Sequence, residues 1–384
     1  MRYKHPTRHV SMSVFASCVA ELVDPRSAHG RRHSLFSVVT ICCCAILAGR
    51  RTFSAIHQWA VDAPHLTLEA LGCSQIGEVC SPPSYNTLRR VIGAVSPLGL
   101  AVLAAKLEIA DDELADFEHW ALDGKRLRGS RRGKEKVLLV AAVRAEHQVV
   151  GQVRADDGDE IGAGRRVLAA HDLTGIVVTA DAHHTQTKTA KAILGAGGDW
   201  VLLAKGNQPT LQAQVKSLPW GELDVDRCER ERGHDRDETR TITTIALGQA
   251  ARVDFPDAKT AFRIHRWRRS RTTGKVEREY AYGITSLDAD RARPAELARL
   301  IRQHWKVEVL HHIRDVSFGE DAAQIRVGHT PGNAASLRNF AIALLGQLGF
   351  KTLPEAMNHV AASPYTRPLE LLDLANIELR YELK

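Results

Sequence analysis

The chain has 384 residues, enough for two or three structural units with cores of their own. Hydrophobic residues make up 44% and charged residues 25%, which excludes a disordered chain and removes any need for disulfides. Lys plus Arg outnumber Asp plus Glu by 52 to 45, a net charge of +7 that is too small by itself to name a partner.

The placement of the charge says more. Lys125 to Lys136 holds seven basic residues and one acid, and Arg263 to Lys275 holds six basic residues and no acid. Basic charge gathered in this way is the footprint of a polyanion-binding surface, although either cluster alone could be a solvated loop. The seven cysteines are Cys18, Cys42, Cys43, Cys44, Cys73, Cys80 and Cys228. An odd count with three in a row suits neither a disulfide framework nor a spaced zinc site. They read as small buried hydrophobes in a reducing compartment. The longest apolar run, Leu35 to Gly49, is shorter than the ~20 residues a spanning helix needs. It also starts too deep to be a signal peptide, so a core helix in a cytoplasmic protein without membrane contact is expected.

In chain order, residues 1–112 read as a mostly helical domain. Phe36 to Ala48 and Phe53 to Ala60 carry apolar residues at helical spacing. Pro82-Pro83-Ser84 reads as a loop and N-cap for a helix from Tyr85 that carries Arg89 and Arg90 and could enter a DNA groove or simply face solvent. From 113 to 205 the pattern changes to strands and helices. Phe117 to Leu122 is a short strand ending at Asp123. Val137 to Val143 and Gln148 to Arg154 form a hairpin. Ile161 to His171 is a helix, Gly175 to Ala180 a buried strand ending at Asp181, Thr185 to Leu194 a helix and Trp200 to Ala204 a strand. Helices on a mixed sheet, an α/β layer, follow. Residues 206–292 read as a β-rich insertion, with strands at Thr239 to Ala246, Ala261 to Arg268 and Arg278 to Ile284. A long helix runs from Pro294 to about Val316, a second from Ala334 to Leu348, both within 293–350, and 351–384 is a short helical tail.

Asp123 and Asp181, at the ends of neighbouring strands, can converge on one edge of a sheet. Hard divalent cations take oxygen ligands, and a third carboxylate from a crossing helix would complete a two-metal site for phosphoryl transfer. Glu308 is the candidate, with Asp315, Glu320 and Asp321 as competing acids. Ile301, His304, Glu308, His311, His312 and Asp315 share one helical face by three-and-four spacing. Spacing alone leaves open a turn or capping role for each aspartate and a solvated role for the glutamate. The adjacent pairs His183-His184 and His311-His312 point in different directions and have no cysteine pair beside them, so no zinc site is expected there. His184 could touch phosphate or support Asp181.

The residues around these acids resemble the motifs of bacterial insertion-sequence DDE transposases of the H-repeat-associated group. Leu122-Asp123-Gly124-Lys125-Arg126-Leu127-Arg128-Gly129-Ser130 is similar to the first-aspartate motif, and Val178-Thr179-Ala180-Asp181-Ala182-His183-His184-Thr185-Gln186 to the second. Gly198-Asp199-Trp200 through Lys205-Gly206-Asn207-Gln208-Pro209-Thr210 resembles the strand and turn that follow. Gly233-His234 through Glu238-Thr239-Arg240 resembles a basic stretch with the pattern HGRxExR, with Asp-Arg-Asp in its middle. Arg302-Gln303-His304-Trp305-Lys306-Val307-Glu308 resembles the third-acid helix, which Asp315 to Asp321 continues. Val23-Asp24-Pro25-Arg26 through Gly30-Arg31-Arg32-His33 resembles the associated N-terminal domain. The resemblance spans roughly residues 20 to 350.

It implies an RNase H-like, retroviral-integrase-like catalytic core with a β-rich insertion and a mostly helical N-terminal domain. It further implies cleavage at insertion-sequence ends and strand transfer into target DNA. Asp123, Asp181 and Glu308 would hold two Mg²⁺ or Mn²⁺ ions, and no covalent protein–DNA intermediate is needed. Where related transposases carry Tyr and Arg before the glutamate and Lys after it, this chain has Ile301, His304 and Asp315, so phosphate contacts on the helix fall to Arg302 or Lys306. Lys125, Arg126, Arg128, Arg131 and Arg132 are expected to contact phosphate, as are Lys205, Asn207, Gln208, His304 and Lys306. Trp267, among arginines, is a candidate for stacking on an unpaired base or a packed strand residue. The expected partners are terminal inverted repeats and target DNA, bound by a homodimer at the nucleoid. A catalytically silent or domesticated DNA-binding relic, and a nuclease that cuts without joining, are the alternatives.

Overall fold

The computed structural model describes residues 12–29, 31–77, 79–107, 116–132, 135–233, 235–248 and 251–374. The helices of the N-terminal third are α1 (Met12–Ala20), α2 (Leu35–Leu47), α3 (Phe53–Val61), α4 (His65–Ala70), α5 (Tyr85–Ala94) and α6 (Pro97–Ala105). A two-stranded hairpin, β1 (Ser74–Ile76) and β2 (Val79–Ser81), separates α4 from α5. Then come β3 (Glu118–Arg132), β4 (Glu135–Val143), β5 (Val149–Ala155), α7 (Glu160–Leu168), β6 (Ile176–Ala180), α8 (Thr187–Gly195), β7 (Asp199–Ala204) and α9 (Pro209–Lys216). Four strands follow, β8 (Arg227–Gly233), β9 (Arg236–Ala246), β10 (Thr260–Ser270) and β11 (Val276–Thr285). The chain continues through α10 (Pro294–Val316), α11 (Thr330–Gly346), α12 (Leu353–Ala361) and α13 (Arg367–Leu371). The last ten positions of the expected tail, 375–384, lie outside the described residues. Among the described residues no single helix is long and apolar enough to cross a membrane.

Local signals account for several of these boundaries. The hydroxyls of Ser34, Thr52 and Ser84 accept from the amides of Ser37, Ala55 and Thr87, capping α2, α3 and α5. All of α2 except Phe36 is buried, including Cys42, Cys43 and Cys44, and burial pushes the Cys42 thiol up to about 12. Six of the seven cysteines are buried as expected; Cys228, on β8, is exposed.

The chain divides into two compact units, one of Met1–Ala110, Gly124–Glu160 and Glu308–Lys384, the other of Asp111–Asp123 and Ile161–Val307. In the first, α11 is buried along nearly its whole length. Asn333 donates to the carbonyls of Ile92 and Val95 at the end of α5, at 2.6 and 2.9 Å. Gln152 on β5 donates to Ser336 and accepts from Asn339, so polar side chains join α11 to the sheet. Leu127, Val137, Leu139 and Ala335 form a small apolar cluster there.

In the second unit the strand order is β3, β6, β7, β11, β10, β9, β8. β3, β6 and β7 are parallel, and β11 pairs antiparallel with β7 from Thr285↔Val201 to Tyr282↔Ala204. The strands of the expected insertion are therefore a direct extension of the sheet. They are preceded by a helix, α9, that the β-rich reading of 206–292 did not contain. β8 was also missed. Its sequence, RCERERG, has no apolar alternation, because it is an exposed edge strand whose charges protect its unpaired side. Val177, Val201, Ile242, Phe262, Leu297 and Leu300 pack between the sheet and the first half of α10.

Candidate active site

The parallel pairing of β3 with β6 runs from Glu118↔Ile176 to Leu122↔Ala180. Asp123 and Asp181 are the next residues of the two chains. Side chains alternate along a strand, so His119, Ala121 and Asp123 share a face with Val177, Thr179 and Asp181. Val177 belongs to the cluster beneath α10, which makes this the α10 side of the sheet. The expectation that the first strand ends at Asp123 needs correction. β3 continues to Arg132, because Leu127 is buried against β4 and α11 and carries the strand onward.

Asp181 ends β6 and shapes the loop after it. Its Oδ1 accepts from the amides of His183 and His184, at 2.9 and 3.2 Å. The capping role that spacing left open is thus filled by one oxygen of the carboxylate. His183 is exposed, whereas His184 is fully buried. Gly164 on α7 makes room for that ring: a Cβ there would meet His184 Cε1 at 3.0 Å and Leu122 Cδ2 at 3.2 Å. The Thr185 hydroxyl donates to the Leu203 carbonyl, and Asn207 donates to the Ala182 carbonyl. The loops that follow β6 and β7 are tied together at the carboxyl ends of their strands, where open α/β sheets bind ligands.

The Thr179 hydroxyl lies 2.7 Å from His119 Nε2 and 3.0 Å from His304 Nδ1. One hydroxyl can donate to one ring and accept from the other, so it locks both imidazoles. Sequence motifs did not single out His119 or Thr179; the alternation that puts them beside Asp123 and Asp181 could have. Burial pushes His304 down to about 4 despite the opposing charge of Asp181, and burial holds His119 well below its usual value. His304 is therefore neutral at pH 7, so any contact it makes to phosphate is a hydrogen bond rather than an ion pair. Both rings bind fewer protons folded than unfolded below pH 6.5, so stability should fall as pH drops from about 6.5 toward 4. The His304 contribution should be on the order of 3 kcal/mol. Urea midpoints of wild type and His304→Gln between pH 7.5 and 4 test this: the variant should show the shallower dependence, and an unchanged slope would contradict it.

Helical spacing puts Glu308 one turn beyond His304 on the same face of α10, and its side chain is exposed. Farther along, Lys125 Nζ donates to Asp315 Oδ2 at 2.5 Å. Arg314 and Arg338, both buried, hold Glu320 between them at 2.7 and 3.1 Å.

Residues 115–344 match the Transposase DDE domain family, and residues 16–106 match the family described as DDE_Tnp_1-associated. The chain belongs to the Transposase DDE domain family. The transposase is 30% identical over 306 residues to "Uncharacterized protein in dhlA 3'region" of Xanthobacter autotrophicus, covering 73% of this chain and 100% of that one. It is 28% identical over 354 residues to "Putative transposase YncI" of Escherichia coli O157:H7, covering 88% of each. It is 27% identical over 355 residues to "H repeat-associated putative transposase YhhI" of Escherichia coli strain K12, covering 85% and 89%.

The basic residues of the transposase divide sharply by burial. Lys125, expected at phosphate, is 7% exposed and donates to Asp315 on α10. Arg126 and Arg128 are exposed, with loose ion pairs to Glu160 at 3.9 Å and Asp321 at 3.3 Å. Such pairs contribute roughly 0–1 kcal/mol and yield readily to a phosphate. The side chains of Arg131 and Arg132 lie outside the described residues. Lys205 and Asn207 are exposed and Gln208 half-buried at the end of β7, while Lys306 is half-buried on α10. In the β9–β10 ribbon, Glu238 is 4% exposed and touches Arg236, Arg240, Arg266 and Arg268 at 2.7 to 3.4 Å. Burial pushes its carboxyl up, but Arg240, Arg268 and Arg266 more than offset this and hold it below the usual range. Two of the six basic residues of the second cluster, Arg266 and Arg268, are thus held by one buried acid. Trp267 is half-buried in β10 between Thr239 and Arg278. His234 lies outside the described residues.

Proposed function

We propose that this transposase cuts the ends of a mobile DNA element and joins them to target DNA, using an RNase H-like core in which Asp123, Asp181 and Glu308 hold two Mg²⁺ or Mn²⁺ ions. The observation that carries the reading is the placement of Asp123 and Asp181 one step beyond Leu122↔Ala180, side by side on the α10 face of the sheet. The donor set suits a hard cation. Asp181 spends Oδ1 on two amides, and among the described residues no donor reaches Oδ2. Bound there, the ions would lower the pKa of the attacking water or 3′-hydroxyl and stabilise the departing 3′-oxygen.

The chain's own residues then have distinct tasks. Asp181 and the two amides it holds keep the β6 loop in place. Neutral His304, locked to Thr179, fixes the helix face that bears Glu308 without adding a cation beside the carboxylates. Arg126, Arg128, Arg131, Arg132, Lys205, Asn207, Gln208 and Lys306 would position phosphates and read no sequence. Trp267 would stack on an unpaired base. Water attacks phosphorus in line and frees a 3′-hydroxyl; that hydroxyl then attacks a target phosphodiester, with the 3′-oxygen of the target strand leaving. Double-stranded DNA carrying the inverted repeats is the substrate, engaged by a homodimer at the nucleoid.

Purified protein with a duplex carrying the element's ends should cut in Mg²⁺ and not in EDTA, and pre-cut ends should be joined to a plasmid. DNA binding without cleavage in either Mg²⁺ or Mn²⁺ would favour the silent relic. Cleavage without joining would favour a nuclease.

A further inference from the structure

The N-terminal helical region carries a group of donor atoms of a different chemical kind. His65 and Glu69 stand one turn apart on α4, with His65 Nδ1 3.8 Å from Glu69 Oε1. Cys80 lies on β2, directly opposite Gln75 of β1, and Gln75 donates to Glu69 Oε1 at 3.1 Å. One nitrogen of His65, one oxygen of Glu69 and the sulfur of Cys80 all lie within 4.8 Å of one another. We propose that His65, Glu69 and Cys80 form a binding site for a zinc-class cation that staples helix α4 to the β1–β2 hairpin.

A tetrahedral zinc ion with nitrogen, oxygen and sulfur ligands at 2.0 to 2.3 Å brings its donors to about 3.5 Å from each other. The three side chains need to close by about 1 Å to reach that geometry, and His65 and Glu69 are exposed. The buried sulfur supplies the fixed point. Imidazole and thiolate select zinc, cobalt or nickel over magnesium and manganese, so this site differs in chemistry from one built of Asp123, Asp181 and Glu308. Three protein ligands leave a fourth position for water. The two elements also need a staple. α4 has six residues and no side-chain cap at its N-terminus, and each strand of the hairpin has three residues. A hairpin of that length is marginal in water. Spacing along the chain concealed the cluster, because helix, hairpin and turn separate the ligands in sequence and bring them together only in space.

The test is cobalt titration of the full-length protein in buffer free of magnesium. Wild type should develop a thiolate-to-cobalt charge-transfer band as Co²⁺ is added, and excess Zn²⁺ should bleach it. Cys80→Ser should lose the band, and His65→Ala should bind at least tenfold more weakly. Cys228→Ser should keep the band, which separates the site from the exposed thiol on β8. Carboxylates cannot produce this band, so the outcome is independent of the catalytic reading. Circular dichroism of each variant checks that it folds. Absence of the band in wild type, or its survival in Cys80→Ser, would overturn the proposal, leaving an ion pair beside a buried thiol.

Discussion

Asp181→Asn is expected to reduce DNA cleavage in Mg²⁺ by at least about 10³-fold while leaving the protein folded. Asparagine keeps a carbonyl oxygen where Oδ1 accepts from His183 and His184, so the loop after β6 keeps its two amide contacts. What it loses is the negative charge. A metal in such a site contributes several kcal/mol of transition-state stabilisation, and about 4 kcal/mol corresponds to 10³ in rate. Asp181→Ala should lose activity to a similar degree and lower the thermal midpoint as well, because the loop contacts go too. Measuring cleavage and thermal unfolding on both variants separates the two roles of the carboxylate. An Asn variant that cuts at the wild-type rate would reduce Asp181 to a turn residue.

Glu320→Ala is expected to destabilise the first unit by about 3–5 kcal/mol. Glu320 is 2% exposed and receives Arg314 Nη2 at 2.7 Å and Arg338 Nη1 at 3.1 Å. Removing the one acid leaves two guanidinium groups in the interior without their counter-charge. Burial pushes the Glu320 carboxyl up, but the two arginines overcome it and hold it below its usual value. Its contribution is therefore fully present at neutral pH and is lost as pH falls through its folded value, below about 4.5. Urea unfolding at pH 7.5 should show the full loss, and the difference between wild type and variant should narrow toward pH 3. Replacing all three residues by apolar side chains of similar volume should recover most of the stability, since breaking such a triad costs far more than omitting it. A loss below about 1 kcal/mol in the single variant would contradict this account of the interior.

The arginine–glutamate triad and the histidine pair illustrate what the residue pattern could and could not disclose. Ser84 before an apolar-periodic run announced α5, and the structure caps that helix with the same hydroxyl. Pro294 and Val316 bound α10 as expected, because proline suits the first turn and three-and-four spacing runs unbroken behind it. The onset of α11 was placed four residues late. The expected start at Ala334 leaves Gly332 and Asn333 before the helix, yet Thr330 and Pro331 open it and Asn333 anchors it to α5. β8 carries no apolar alternation to announce it, and the charged residues beyond Asp123 hide the buried Leu127 that continues β3.

Periodicity, capping residues and the motifs around Asp123, Asp181 and Glu308 were enough, with no coordinates, to define most helices and strands and the family. These are signals carried between near neighbours in the chain, where a hydroxyl meets the amide three residues on or an apolar side chain recurs every second or fourth position. Tertiary structure alone decided which charges remain available. Lys125 and Arg126 are adjacent in sequence, yet one is buried and paired with half-buried Asp315 while the other reaches solvent. Burial likewise keeps His304 neutral, against the opposing pull of Asp181. The reason is dielectric: the energy of a charge depends on how much water and which counter-charge surround it, and both are set by residues far away along the chain.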